Sequence, residues 1–266
     1  MPLLQDLEQF QNVSPAIQWA IFIVGCMIVV VGLVAIIISI WLSIKYMVYN
    51  RRMNSRNLAG HEAARKILDD NGLQHIKVSV VGSMLFGNSY SHYFKKVRLR
   101  RLTVKKPSIT SLAMGAEKSA LAILDKEGDP DMKTRIVLTP LMYLGPFAFI
   151  PIIIVGVAID LLLFNFSGVG TIVAAALGLG IYAISFVLSI MTLKTEKKAQ
   201  ARACEILAQE GLATDEEIEM MRSLFKLYNI QYINDIVLEF LQLLLKVLQI
   251  VAKVQNSAGS NSGSSD

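Results

Sequence analysis

Residues 16 to 44 (AIQWAIFIVGCMIVVVGLVAIIISIWLSI) contain no charged side chain. At about 1.5 Å of rise per residue, the run is longer than the roughly 20 residues a helix needs to cross a bilayer. It predicts a transmembrane helix over 16–44. The flank before it is acidic (Asp6, Glu8) and no small-residue cleavage site follows. The run therefore reads as an anchor and not as a removed signal peptide.

Two further apolar runs lie close together. Residues 136–166 hold one charge, Asp160, and residues 169–193 hold none. Only Ser167-Gly168 separates them, which predicts a transmembrane hairpin over 136–193. Asp160 reads as a residue near the outer boundary, and Ala174, Ala175, Ala176, Gly178 and Gly180 offer a face suited to close helix packing. The last apolar stretch, 230–254, is interrupted by Asp235, Glu239, Lys246 and Lys253. Each would cost about 2.5–3.5 kcal/mol at a bilayer centre. An amphipathic helix and a fourth span both stay open. The fold class expected is a mainly α membrane protein, with three or four membrane helices and a small cytoplasmic α+β domain.

Charge sets the expected orientation. Residues 45–135 carry eighteen Lys and Arg against eight Asp and Glu, a surplus of ten. Lys45, Arg51, Arg52 and Arg56 follow the first run, Lys133 and Arg135 precede the second, and Lys194, Lys197 and Lys198 follow the third. The positive-inside rule puts all three sites in the cytoplasm and residues 1–15 outside, as in a multi-pass protein of the cell membrane. The net charge of +5 thus sits beside the spans, which suits an anionic inner leaflet better than nucleic acid. Cys26 and Cys204 lack the partners that a disulfide or a zinc cluster needs. The tail 255–266 is Gly/Ser/Asn-rich and reads as disordered.

Within the cytoplasmic stretch, residues 57–73 (NLAGHEAARKILDDNGL) have helical spacing and a stop at Asn71-Gly72. His61-Glu62 has Arg65 and not a second His one turn on, so a solvated helix face is the better reading. Residues 76–81 alternate as a strand. A second strand is expected through Val97 and Leu99, with Lys95, Lys96, Arg98, Arg100, Arg101, Lys105 and Lys106 making the run basic. Two compatible readings attach to that run: a charged, protected sheet edge, and a contact with anionic lipid headgroups. Ser108 is the expected N-cap of a helix over 108–127 that ends at Gly128. The segment 194–229 reads as two helices, one capped by Gly211 and one begun by the Thr214-Asp215-Glu216-Glu217 capping box.

Several of these pieces together resemble a known family. Gly60, Glu62, Ala64 to Leu68 and Asn71 to Leu73 match its opening helix. His92-Tyr93 with Val97 and Leu99 matches its strand pair. Ser108-Ile109, Leu112-Ala113 and Ala116 lead into its motif helix, and Gly128, Arg135 and Pro140 follow it. Thr192-Leu193, Glu196, Ala199, Ala203, Leu207, Gly211 and Thr214 match the segment after the hairpin. Across about residues 45–254 the chain is similar to the YugP-type neutral zinc metallopeptidases of bacterial membranes. The resemblance implies zinc as cofactor and a His-Glu-x-x-His motif at residues 117–121, where this chain reads Glu117-Lys118-Ser119-Ala120-Leu121.

The ungapped register sets the family's two imidazoles against Glu117 and Leu121 and its catalytic carboxylate against Lys118. No His follows His92. Glu196 matches a residue that looks like the family's third ligand, leaving Glu196, Glu117 and His92 as residual candidates for a metal. Catalytic zinc takes three protein ligands and a water, and needs a carboxylate for the proton. Loss of zinc and of catalysis is therefore expected, with an ion pair from Lys118 to Glu117 or Glu196 in the metal's place. Three roles follow. One is an inactive pseudoenzyme scaffold for a membrane protein partner, an active paralogue or a second copy. Another is a peptidase with a rebuilt metal site. The third is a structural protein that binds anionic lipid.

Overall fold

The structure, a computed structural model, describes residues 13–81, 87–163 and 169–262; the side chains of 140–150, 160, 163, 169, 171–172 and 257–262 are outside that description. The Asp160 reading falls among those side chains. In chain order the elements are α1 (Pro15–Arg51), α2 (Gly60–Asp70), β1 (Lys77–Val81), β2 (Ser89–Ser91) and β3 (Lys96–Arg100). They continue with α3 (Arg101–Val104), α4 (Ile109–Glu127), α5 (Pro130–Leu163), α6 (Val169–Gln209) and α7 (Asp215–Ser262). The protein is thus mostly helical with one small sheet. By length and composition, α1 and the stretch Val173–Gln209 of α6 are able to cross a membrane.

The chain divides into two compact units. The larger comprises Ile36–Thr139 and Ile190–Ile233. Its centre is α4, whose residues from Ile109 to Leu124 are all buried. The helix starts where expected, with Ser108 Oγ accepting from the Ser111 amide at 3.1 Å, and stops at Gly128 in the left-handed region. Around α4 pack α2, the sheet and the parts of α6 and α7 in this unit, through buried Ile67, Leu68, Leu99, Leu207, Met221 and Leu224. Close approach of α2 to α4 depends on glycine: a Cβ on Gly115 would lie 2.5 Å from the Gly60 carbonyl oxygen.

The sheet differs from the expected strand pair. It has three strands in the order β1-β3-β2, with β1 parallel and β2 antiparallel to β3. The basic strand is therefore central and not an edge, and its charges cannot be there to block pairing. Its Val97 and Leu99 are fully buried, while Lys96 and Arg98 between them are half-buried.

Two expected helix boundaries are also absent. The apolar run 169–193 and the charged segment after it form one helix, α6, and 230–254 continues α7. Neither junction holds a proline or glycine, so a change of composition does not break the helical hydrogen bonding. α7 is helical as far as Ser262, into the tail expected to be disordered. Its start is the predicted capping box: the Thr214 amide donates to Glu217 Oε2 (2.9 Å) and the Glu217 amide to Thr214 Oγ1 (3.3 Å). The Ser55 amide and hydroxyl donate to the same Glu217 carboxylate at 2.6 and 2.8 Å.

The other unit comprises Met1–Ala35, Pro140–Ser189 and Asn234–Asp266. Here the polar groups of α7 face α6: Ser189 Oγ donates to Glu239 Oε2 (3.2 Å), and Lys246 Nζ sits 4.1 Å from the centre of the Tyr182 ring. Ala174 and Ala175 are buried as the small-residue run implied. α5 and α6 line an apolar cavity of about 480 Å³ bounded by Pro151, Val155, Ile159, Val173 and Leu177.

Candidate functional site

Glu117 and Lys118 are consecutive on α4, and both are buried inside the larger unit, at 5% and 8% exposure. Burying one ion of either sign is costly unless it is paired. Here the pairing comes from three other helices. Lys118 Nζ lies 2.9 Å from Glu196 Oε2 on α6 and 3.1 Å from Glu117 Oε2. Arg135, in the first turns of α5, donates from Nη2 to Glu196 Oε1 at 2.6 Å. Gln200, one turn after Glu196, donates from Nε2 to Glu117 Oε1 (3.0 Å) and accepts at Oε1 from Asn229 Nδ2 on α7 (2.8 Å). Two carboxylates, one ammonium and one guanidinium thus form a charge-balanced cluster closed by two amides.

Its members do not share one electrostatic fate. Burial pushes the Glu117 carboxyl above its ordinary range, against the smaller downward pull of Lys118. Burial acts on Glu196 in the same direction, but Lys118 and Arg135 together outweigh it and hold that carboxyl at about 2. Burial disfavours the Lys118 ammonium, yet Glu117 and Glu196 raise it above the usual lysine value. The difference is one of neighbours: Glu196 touches two cations, and Glu117 touches one.

The cluster forms one wall of a cavity of about 290 Å³. Tyr46, Met114, Leu193, Tyr228 and Tyr232 provide apolar and aromatic surface, and Asn88 and Arg100 provide polar surface. Burial, with the nearby Tyr46 hydroxyl and Glu117 carboxylate, raises the Tyr228 phenol above its ordinary value. A chamber of this kind can hold a short polar or aromatic segment.

The residues present do not fit a zinc ion. Catalytic zinc needs several converging donors and an open position. The two carboxylates here converge on an ammonium, and Leu121, one turn beyond Glu117, is apolar and buried. Among the described residues no three His, Cys, Asp or Glu side chains come together. His92 lies elsewhere: its Nδ1 is 2.6 Å from Asp125 Oδ2, which also accepts from the Tyr90 hydroxyl at 2.5 Å. Asp125 is eight residues beyond Glu117 on α4, about 12 Å along the helix. His61 Nδ1 is bound to the Val104 carbonyl at 2.7 Å, a tie between α2 and α3.

Of the basic run, Lys95, Arg100, Arg101, Lys105 and Lys106 are exposed, and Lys96 and Arg98 are half-buried. Sequence reasoning reached Glu117, Lys118 and Glu196 but missed Arg135, Gln200 and Asn229 as their partners. One signal was available: Glu196 and Gln200 share a face of α6 with buried Ala199 and Ala203, so that face had to meet polar groups inside the fold.

One family model, described as "Putative neutral zinc metallopeptidase", matches residues 11–251. No curated protein matches the chain significantly. Nor does any solved structure.

Proposed function

Since the chain belongs to the neutral zinc metallopeptidase family, we propose that it is a member turned from hydrolysis to binding, a membrane scaffold that holds a segment of another membrane protein. The observation that carries this is the Lys118 ammonium bridging Glu117 and Glu196. A cation fixed by covalent attachment to the chain cannot exchange and has no vacant coordination position for a water, as catalytic zinc has. The carboxylates that would serve a metal are already neutralised. What remains of a peptidase site is the neighbouring chamber lined by Tyr46, Tyr228 and Tyr232, which suits a held peptide segment.

On this reading α1 and the hairpin of α5 and α6 cross the membrane, with the amino terminus outside and the larger unit in the cytoplasm. The support is the basic charge at Lys45, Arg51, Arg52, Lys133, Arg135, Lys194, Lys197 and Lys198, beside the ends of the apolar runs.

Protein purified in detergent, loaded with zinc chloride and desalted should retain no stoichiometric zinc and cleave no unstructured peptide. One tightly held zinc per chain would overturn the loss of catalysis. A photo-crosslinking residue at Tyr232 should give one discrete adduct in native membranes, and filling the chamber with Met114→Trp should remove it. Absence of any adduct, or an adduct unchanged by Met114→Trp, would overturn the scaffold role.

A further inference from the structure

The turn between β2 and β3 exposes two aromatic side chains at its tip, Tyr93 at 64% and Phe94 at 65%. In water, a tip of this kind leaves two aromatic rings uncovered. Contacts tie it in place. His92 binds Asp125 on α4, and the Lys95 amide donates to the His92 carbonyl at 3.3 Å. Phe94 stacks under the Arg98 guanidinium, 5.3 Å from ring centre to Cζ.

Its position is fixed by a further bond. The Tyr93 hydroxyl donates to the Ile136 carbonyl at 3.2 Å. Ile136 is the first residue of the apolar run 136–166. The tip is therefore level with the point at which α5 becomes apolar, and basic Lys95, Lys96 and Arg98 lie directly beside it. Tyrosine and tryptophan concentrate at that depth in membrane proteins because an apolar ring carries a polar group, and Phe94 adds apolar surface beside Tyr93. Nearby Lys and Arg add attraction to anionic headgroups.

We infer that Tyr93 and Phe94, with Lys95, Lys96 and Arg98, form an interfacial anchor that inserts the β2–β3 turn into the headgroup layer of an anionic bilayer. This rests on the membrane-spanning reading of α5. It is independent of what the chamber beside Glu117 binds. The aromatic rings supply the depth and the basic groups the preference for negative lipid. The anchor ties the sheet, and through Asp125 the far end of α4, to the membrane surface.

The test uses the full chain in vesicles of phosphatidylcholine and phosphatidylserine, with Trp19→Phe and Trp41→Phe removing the native tryptophans. A single tryptophan is then placed by Phe94→Trp, by Lys66→Trp or by Ile37→Trp. Lys66 lies near Glu210, just past the end of α6. From Leu193 to Gln209 that helix runs about 24 Å at its standard rise. Ile37 lies inside the first apolar run. The indole of the Phe94→Trp variant should be quenched by brominated phosphatidylcholine and protected from aqueous iodide. The Lys66→Trp variant should show the reverse, and the Ile37→Trp variant should be quenched by bromolipid. Replacing phosphatidylserine by phosphatidylcholine should reduce bromolipid quenching at position 94 and leave it unchanged at 37. Iodide quenching at position 94 as strong as at 66, while position 37 answers to bromolipid, would overturn the anchor and leave the spans intact. A probe at position 94 shielded from both reagents would overturn it in favour of a protein contact. Iodide quenching at both 94 and 37 would overturn the spanning reading and the anchor with it.

Discussion

Lys118 on α4 and Glu196 on α6 stand 78 positions apart in the chain, yet Nζ and Oε2 are 2.9 Å apart and shielded from solvent. A pair so placed adds little over a well-packed apolar substitute, but it is costly to break from one side. Lys118→Met leaves Glu117 without a cation and Glu196 with Arg135 alone. The expected loss is about 3–5 kcal/mol. In a thermal-melt double-mutant cycle with Glu196→Gln, the coupling should fall at about 0.5–3 kcal/mol. Strict additivity would show that the two side chains do not interact.

The two carboxylates should leave opposite marks on the pH profile. Glu196 is held at about 2 when folded, against an ordinary value of 4.5. Its contribution is complete above pH 4.5 and drains away as pH falls towards 2. Glu117 is displaced upward, so its contribution is complete below the ordinary carboxyl range and is lost as pH rises through its folded value. Melting temperature measured across pH should therefore fall less steeply on the acid side in Glu196→Gln. Glu117→Gln should flatten the decline on the higher side. Identical profiles for both variants would contradict the assignment.

Gly115→Ala tests the contact of α2 with α4. Its methyl group would sit 2.5 Å from a backbone oxygen of Gly60, which has no rotamer to yield. A destabilisation of about 1–3 kcal/mol is expected. Gly25→Ala, with nothing within 4 Å, should stay within about 0.5 kcal/mol of the parent. Chemical unfolding in detergent compares the two directly.

Glu217 serves two segments at once, so Glu217→Ala should cost more than the loss of a cap. Thr214→Ala, which removes only the hydroxyl acceptor for the Glu217 amide, is expected to cost about 1 kcal/mol. Glu217→Ala also strips the acceptor from Ser55 and should exceed it. Hydrogen exchange at residues 53–58 should rise in Glu217→Ala and remain unchanged in Thr214→Ala.

The features legible in the sequence are those fixed by neighbouring residues. Ser108 and the Thr214–Glu217 box announce helix starts through contacts three residues away, and Gly128 announces a stop through its own backbone freedom. The pairing of Lys118 with Glu117 or Glu196 was legible through the family resemblance, which implies that the segment bearing Glu196 meets the motif helix. The parallel pairing of β1 with β3 and the small β2 were not, because register between strands is set by the assembled core. The changes of composition at Lys194 and Ile230 do not end a helix, although both fall close to where the chain passes from one unit to the other. Apolar and charged stretches call for different surroundings, but both are good helix formers, and nothing between them interrupts α6 or α7.

With a paired strand on each side over Lys96–Arg98, β3 offers no open edge there whose main-chain groups could recruit another strand. Among the described strands, such edges belong to the outer flanks of β1 and β2. Any visiting polypeptide that extends the sheet would have to join there, and its recognition of the cationic stretch would come through side chains alone.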